Sequence, residues 1–160
     1  LEIGAAVGFS AIFMSRFLPP GGHITTIENY EPRIKAAREN IKRAQAEDLI
    51  TLIEGDATEE LKKLSPGYDF IFMDAAKGQY GLFFEETIGL LKPGGVLLCD
   101  NVLQDGDVLE SRFAVTRRNR TIHSRMREYL YALKHNAGLE TAILNIGDGM
   151  SLSIKKNEKW

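Results

Sequence analysis

From Leu1 to Cys99, short apolar and β-branched runs alternate with stretches of helical spacing, and this alternation leaves few folds open to the chain. Strand-like runs fall at residues 1–4, 23–28, 50–54, 68–74 and 96–99. Helical stretches fall at 9–18, 32–45, 58–64 and 81–91. Pro19-Pro20-Gly21-Gly22 stops the first helix, Pro32 suits the first turn of the second, and Lys92-Pro93-Gly94-Gly95 closes the fourth. Repeated βα units predict an α/β fold, a parallel sheet covered by helices on both faces. A long helix is expected at 121–134, then strands at 139–146 and 150–155. Gly147-Asp148-Gly149 between them is a hairpin signal, so the last strand should run antiparallel. With no internal repeat, low-complexity run or linker, residues 1–160 read as a single domain.

Composition narrows the function classes. Apolar residues make up 44 % and charged residues 26 %, with a net charge of −2. That balance is globular and advertises neither a nucleic acid nor a membrane through global charge. No apolar stretch reaches the roughly 20 residues that span a bilayer, so no membrane partner is expected. The one cysteine, Cys99, lies in the apolar run Val96-Leu97-Leu98-Cys99, which fits a reduced, cytoplasmic setting. Leu1-Glu2-Ile3-Gly4 reads as the end of a buried strand without an initiator Met, so an upstream segment is expected.

Glu2-Ile3-Gly4-Ala5-Ala6-Val7-Gly8 joins the first strand to its helix. In an open α/β sheet this turn borders the ligand crevice, and glycine lets a ligand approach the backbone. Glu28 ends the second strand, where a carboxylate can accept from both ribose hydroxyls of a nucleoside cofactor. The dinucleotide pattern G-x-G-x-x-G is absent, because position 6 is Ala and the glycines stand at 4 and 8. Glu2 would repel a pyrophosphate but complement the ammonium of a methionine moiety, which favours S-adenosylmethionine over NAD. Gly55-Asp56-Ala57 follows the third strand. There Asp56 can accept from an adenine amino group or cap the next helix.

Asp74 ends the fourth strand and Asp100-Asn101 the fifth. If those strands are neighbours, their ends lie roughly 5 Å apart. Two carboxylates that close repel each other unless a cation is present or each caps a helix. An all-oxygen set of Asp74, Asp100 and Asn101 suits Mg²⁺, with Mn²⁺ or Ca²⁺ as alternatives. Lys77, three residues after Asp74, is a candidate proton acceptor or else a solvated loop lysine.

These motifs together resemble one family. Glu2-x-Gly4-x-x-x-Gly8 with Ser10, the strand ending in Glu28, GDA at 55–57, MDAAKGQY at 73–80, CDN at 99–101 and the terminal GDG hairpin resemble the cation-dependent class I O-methyltransferases, with catechol and caffeoyl-CoA O-methyltransferases as relatives. The likeness covers essentially the whole chain and is strongest to the bacterial branch of tRNA 5-hydroxyuridine methyltransferases. It implies a Rossmann-like, seven-stranded, mostly parallel sheet with the last strand antiparallel, and a homodimer for the full-length protein. It places Glu2, Gly4, Ser10, Glu28, Asp56, Ala57 and Asp74 on cofactor positions. Asp74, Asp100 and Asn101 fall on metal positions, with Asp74 and Lys77 at the catalytic centre. Lys77 matches the general base of catechol relatives.

The acceptor needs two vicinal oxygens, which a catechol offers and which 5-hydroxyuridine at the tRNA wobble position also offers. Residues 111–135 carry Arg112, Arg117, Arg118, Arg120, Arg125, Arg127 and Lys134 against Glu128 alone, an excess that can steer phosphates. The same excess would serve salt bridges to Asp105, Asp107 and Glu110 in the preceding loop. A small phenolic acceptor, an NAD(P)-binding oxidoreductase and a non-catalytic cofactor-binding module stay open as alternatives.

Overall fold

The computed structural model describes residues 1–157. It carries a seven-stranded sheet in the order β3-β2-β1-β4-β5-β7-β6, numbered along the chain. The chain divides into two compact units, 1–64 and the remainder, taken in turn.

In the first unit, β1 (Glu2–Ile3), β2 (Ile24–Glu28) and β3 (Ile50–Glu54) are parallel, with Glu2 opposite Thr26 and Glu28 opposite Glu54. Helices α1 (Phe9–Ser15) and α2 (Glu31–Arg43) alternate with them. Ala11, Ile24, Ile41, Ala46 and Ile50 form the core here. α1 is shorter than the 9–18 expected, since the chain leaves the helix before it reaches Pro19. It buries Ala11 and Ser15 and turns Phe9 and Phe13 outward, and Phe17 just beyond its end is exposed as well. A Cβ on Gly8 would lie 3.4 Å from the Ala37 backbone, an ordinary contact, and the partly buried Ile12 and Met14 of α1 pack on the core beside Ala11. The helix expected at 58–64 is one turn, α3 (Ala57–Glu60), continued by a 3₁₀ turn at Leu61–Lys63.

In the second unit, β4 (Tyr68–Met73) and β5 (Leu91–Cys99) are parallel and end level, Met73 opposite Cys99. β5 begins at Leu91, earlier than expected, because Lys92-Pro93-Gly94-Gly95 bulges within the strand instead of preceding it. Tyr68 pairs with Leu91, but Phe70 already pairs with Val96. Gly95 leaves no room for a side chain, whose Cβ would meet Leu91 and the Lys92 carbonyl at 2.9 Å. Helices α4 (Tyr80–Leu90) and α5 (Arg120–His135) bury Tyr80, Phe83, Met126, Tyr129 and Leu133, beside the fully buried Ile71, Met73 and Leu97 of the strands. β6 (Leu139–Leu144) and β7 (Met150–Lys155) form the expected hairpin. The antiparallel strand is last in sequence but not at the sheet edge. β7 folds back between β5 and β6. Among the described residues no helix is long and apolar enough to cross a membrane.

Candidate active site

The first unit gathers buried carboxylates at the turn from β1 into α1. Gly4 and Gly8 adopt left-handed φ of 102° and 82°, which lets the chain reverse from β1 into α1 in a few residues. The backbone N–H groups of Gly4 and Ala5 donate to the Ile27 carbonyl, both at 3.0 Å. Glu2 is fully buried, and its two carboxylate oxygens accept from the hydroxyls of Ser10 and Thr26. Glu28 is also buried. Its carboxylate accepts from the backbone of Ala6 at 2.9 Å, Asn29 at 3.1 Å and Tyr30 at 3.0 Å. A carboxylate has about four acceptor sites, so three N–H bonds orient it and leave capacity for a ligand hydroxyl. The Asn40 side chain donates to the Val7 carbonyl at 2.9 Å and steadies the same turn.

Asp56 stands at the end of the strand beside Glu28 and caps α3, accepting from the Thr58 N–H at 2.8 Å. Hydrogen bonds from the Thr58 side chain and backbone hold its carboxyl below the ordinary value of 3.8. The capping role expected from the sequence is therefore occupied. Ala57, the first residue of α3, lies alongside it.

The second unit collects the oxygen donors. Asp74 and Asp100 follow the register pair Met73 and Cys99, and the Asp100 N–H donates to the Met73 carbonyl at 3.0 Å. Asp100 also accepts from the Asn101 N–H at 2.7 Å, with Asn101 in the left-handed region at φ 54°. Asn tolerates that conformation better than most side chains, and strain of this kind gathers at functional sites. Tyr80 ties the two strand ends together. Its buried hydroxyl donates to the Asp100 carbonyl at 3.0 Å and approaches the Met73 carbonyl at 3.3 Å. Burial, then the neighbouring Cys99 and Asp74, push that phenol well above its ordinary pKa, so it stays a donor. Among the described residues no three His, Cys, Asp or Glu side chains cluster for a metal. A cation would rest on the two carboxylates and the Asn101 amide oxygen. That set is hard, anionic and all oxygen, and it fits Mg²⁺, Mn²⁺ or Ca²⁺. Lys77 opens a 3₁₀ turn, Lys77–Gln79, and its Nζ pairs with Asp148 at 3.2 Å.

Residues 1–156 match the O-methyltransferase family. The chain belongs to that family. A catechol O-methyltransferase of Niastella koreensis is 33 % identical over 166 residues, covering 98 % of this chain and 72 % of that protein. Tapetum-specific methyltransferase 1 of Arabidopsis thaliana is 32 % identical over 156 residues, covering 95 % of this chain and 67 % of the other. An O-methyltransferase from Bacillus cereus, solved in complex with SAH, superposes with a TM-score of 0.87 at 28 % identity, over 97 % of this chain and 72 % of that one.

In this O-methyltransferase the expected site residues separate by unit. Glu2, Gly4, Ser10, Glu28, Asp56 and Ala57 belong to the first, and Asp74, Lys77, Asp100 and Asn101 to the second. Four supporting residues have no role that the sequence assigns. Tyr80 closes the MDAAKGQY motif and Asp148 sits in the hairpin signal, so both are visible there without their function. Thr26 and Asn40 carry no signal, because each acts on a residue distant in sequence. The arginine segment also differs from a salt-bridged face. Among the described residues none of its arginines pairs with Asp105, Asp107 or Glu110. Arg120, Arg125 and Arg127 instead donate to the carbonyls of Val115, Gly78 and Val108, while Arg112, Arg117 and Arg118 are exposed.

Proposed function

We propose that this chain is one catalytic domain that moves a methyl group from S-adenosylmethionine to one of two vicinal oxygens on an acceptor, with help from a divalent cation. The observation that carries the reading is the level ending of β4 and β5, which brings Asp74, Asp100 and Asn101 to adjacent strand ends under the Tyr80 tie. The SAH complex of the Bacillus cereus relative supports the methyl donor. Glu28 would accept from the ribose hydroxyls, Asp56 from the adenine, and Glu2 would supply negative charge near the methionine ammonium. Asp74, Asp100 and Asn101 would hold the cation, which would supply positive charge that favours ionisation of the acceptor hydroxyl. Lys77 would take the hydroxyl proton. The acceptor oxygen then bonds to the methyl carbon as the carbon–sulfur bond breaks, a displacement that gains most from in-line placement.

The relative named for catechol supports a small phenolic acceptor. A second reading, 5-hydroxyuridine at the tRNA wobble position, is favoured by the exposed Arg112, Arg117 and Arg118. The test is transfer of label from S-adenosylmethionine in Mg²⁺, to catechol and to tRNA lacking the methylated wobble uridine. Asp74→Ala and Asp100→Ala are expected to abolish transfer. Wild-type turnover in excess EDTA would refute the cation's part. Label in tRNA alone, or in catechol alone, decides the acceptor.

A further inference from the structure

A two-strand hairpin needs a residue at position 148 that tolerates a tight turn, and Asn or Ser would meet that need. Asp148 does more. One carboxylate oxygen lies 3.2 Å from Lys77 Nζ, and the other accepts from the Asp105 N–H. The Asp148 carbonyl accepts from the Leu103 N–H at 3.0 Å, and the Gly149 carbonyl from the Val102 N–H at 3.0 Å. Gly149 has φ 77°, and a Cβ there would collide with the Leu103 side chain, so the turn is seated hard against the loop that leaves Asn101. The Asp148 side chain is only 17 % exposed. Its charge is therefore anchored by backbone on one side and offered to a single lysine on the other.

We propose that Asp148 is the positioning residue for Lys77. It holds the end of a flexible four-carbon stem at one point and stabilises the ammonium formed when the lysine amine takes the acceptor's proton. The lysine ammonium first gives a proton to water; the hydroxyl proton then passes to the free amine at Nζ, the oxygen–methyl bond forms, the methyl–sulfur bond breaks, and the restored positive charge faces Asp148. The role rests on the reading of Lys77 as the proton acceptor.

The experiment compares kcat and KM for wild type, D148N, D148E, K77A and K77A/D148N, in Mg²⁺, with catechol as acceptor, or with tRNA lacking the methylated wobble uridine if wild type labels only that. Asparagine keeps an oxygen for the Asp105 N–H and removes only the charge. D148N is expected to lower kcat about tenfold with KM within about threefold, and D148E to recover most of the loss. In the K77A background D148N should cost nothing further. S-adenosylmethionine affinity and the melting temperature, measured on each variant, report the fold. If D148N does not melt cooperatively, D148S replaces it in the same cycle. Unchanged kcat in D148N beside an impaired K77A overturns the proposal and leaves Lys77 in place. Full activity in K77A removes the base and the proposal with it. An equal loss from D148N with and without Lys77 makes Asp148 a structural residue and overturns the role.

Discussion

At the scale of single residues, Glu28 and Cys99 show how burial converts an ordinary group into a committed one. Glu28 is enclosed and accepts three backbone N–H bonds, so it serves the turn before any ligand arrives. Glu28→Ala should cost about 1–2 kcal/mol of stability through unpaired donors. It should also weaken S-adenosylmethionine by about tenfold or more, since hydrogen bonds to a charged group are worth the most. Calorimetric titration and a thermal melt check both, and unchanged affinity would remove Glu28 from the ribose. Cys99 is buried, and desolvation pushes its thiol from 9.0 up to about 11. At pH 8 on the order of one thiol in a thousand is then ionised, so a thiol reagent should label the unfolded chain and spare the native one. Because the folded value lies above the unfolded one, this thiol's contribution is intact below about pH 9 and is lost as pH rises toward about 11. Denaturant midpoints should fall across that window, less steeply in Cys99→Ala.

At the scale of elements, the decisive unit is the pair β4 and β5 with the helix that follows β4. Parallel strands with equal ends set the two aspartates side by side, and Tyr80 from α4 fastens the carbonyls of both ends. Tyr80→Phe preserves the buried ring and its edge contact to Tyr129 at 5.5 Å but removes that fastening. The expected cost is about 1–2 kcal/mol, with a higher Mg²⁺ concentration needed for half-maximal turnover. A melt and a Mg²⁺ titration measure the two effects, and an unchanged titration would mean that the strand ends need no tie. Much of this element is legible in the sequence. YDFIFMD and VLLCDN announce strands ending in oxygen donors, although β4 is buried only at Ile71 and Met73 and leaves Phe70 exposed. What does not show is the bulge at Lys92-Pro93-Gly94-Gly95, because a Pro-Gly-Gly run signals a break whether the chain leaves the sheet or bulges within it.

For the whole molecule, the size of the acceptor is what the arginine segment tests. Three of its arginines are spent on backbone carbonyls, while Arg112, Arg117 and Arg118 stand exposed. If tRNA is the acceptor, Arg117→Glu with Arg118→Glu should lower kcat/KM for tRNA by about tenfold or more. The salt dependence should flatten by about one unit of slope for each phosphate that an arginine no longer neutralises. Turnover of catechol and S-adenosylmethionine affinity should stay level. Equal turnover of tRNA before and after would detach the arginines from substrate binding.

The sequence by itself determined the order of elements, the strand-end placement of Glu28, Asp56, Asp74 and Asp100, and the hairpin at Gly147-Asp148-Gly149. Those features are local, since periodicity, turn residues and motif spacing are written along the chain. Only the tertiary structure decided which groups answer each other across it. It set Thr26 and Ser10 on Glu2, Tyr80 on the strand ends, Asp148 on Lys77, and Ala11 and Ser15 of α1 inward with Phe9 and Phe13 outward. The physical reason is the same in each case. A hydrogen bond or a packing contact depends on a distance of a few ångströms between residues far apart in sequence, and no spacing rule along the chain encodes that distance.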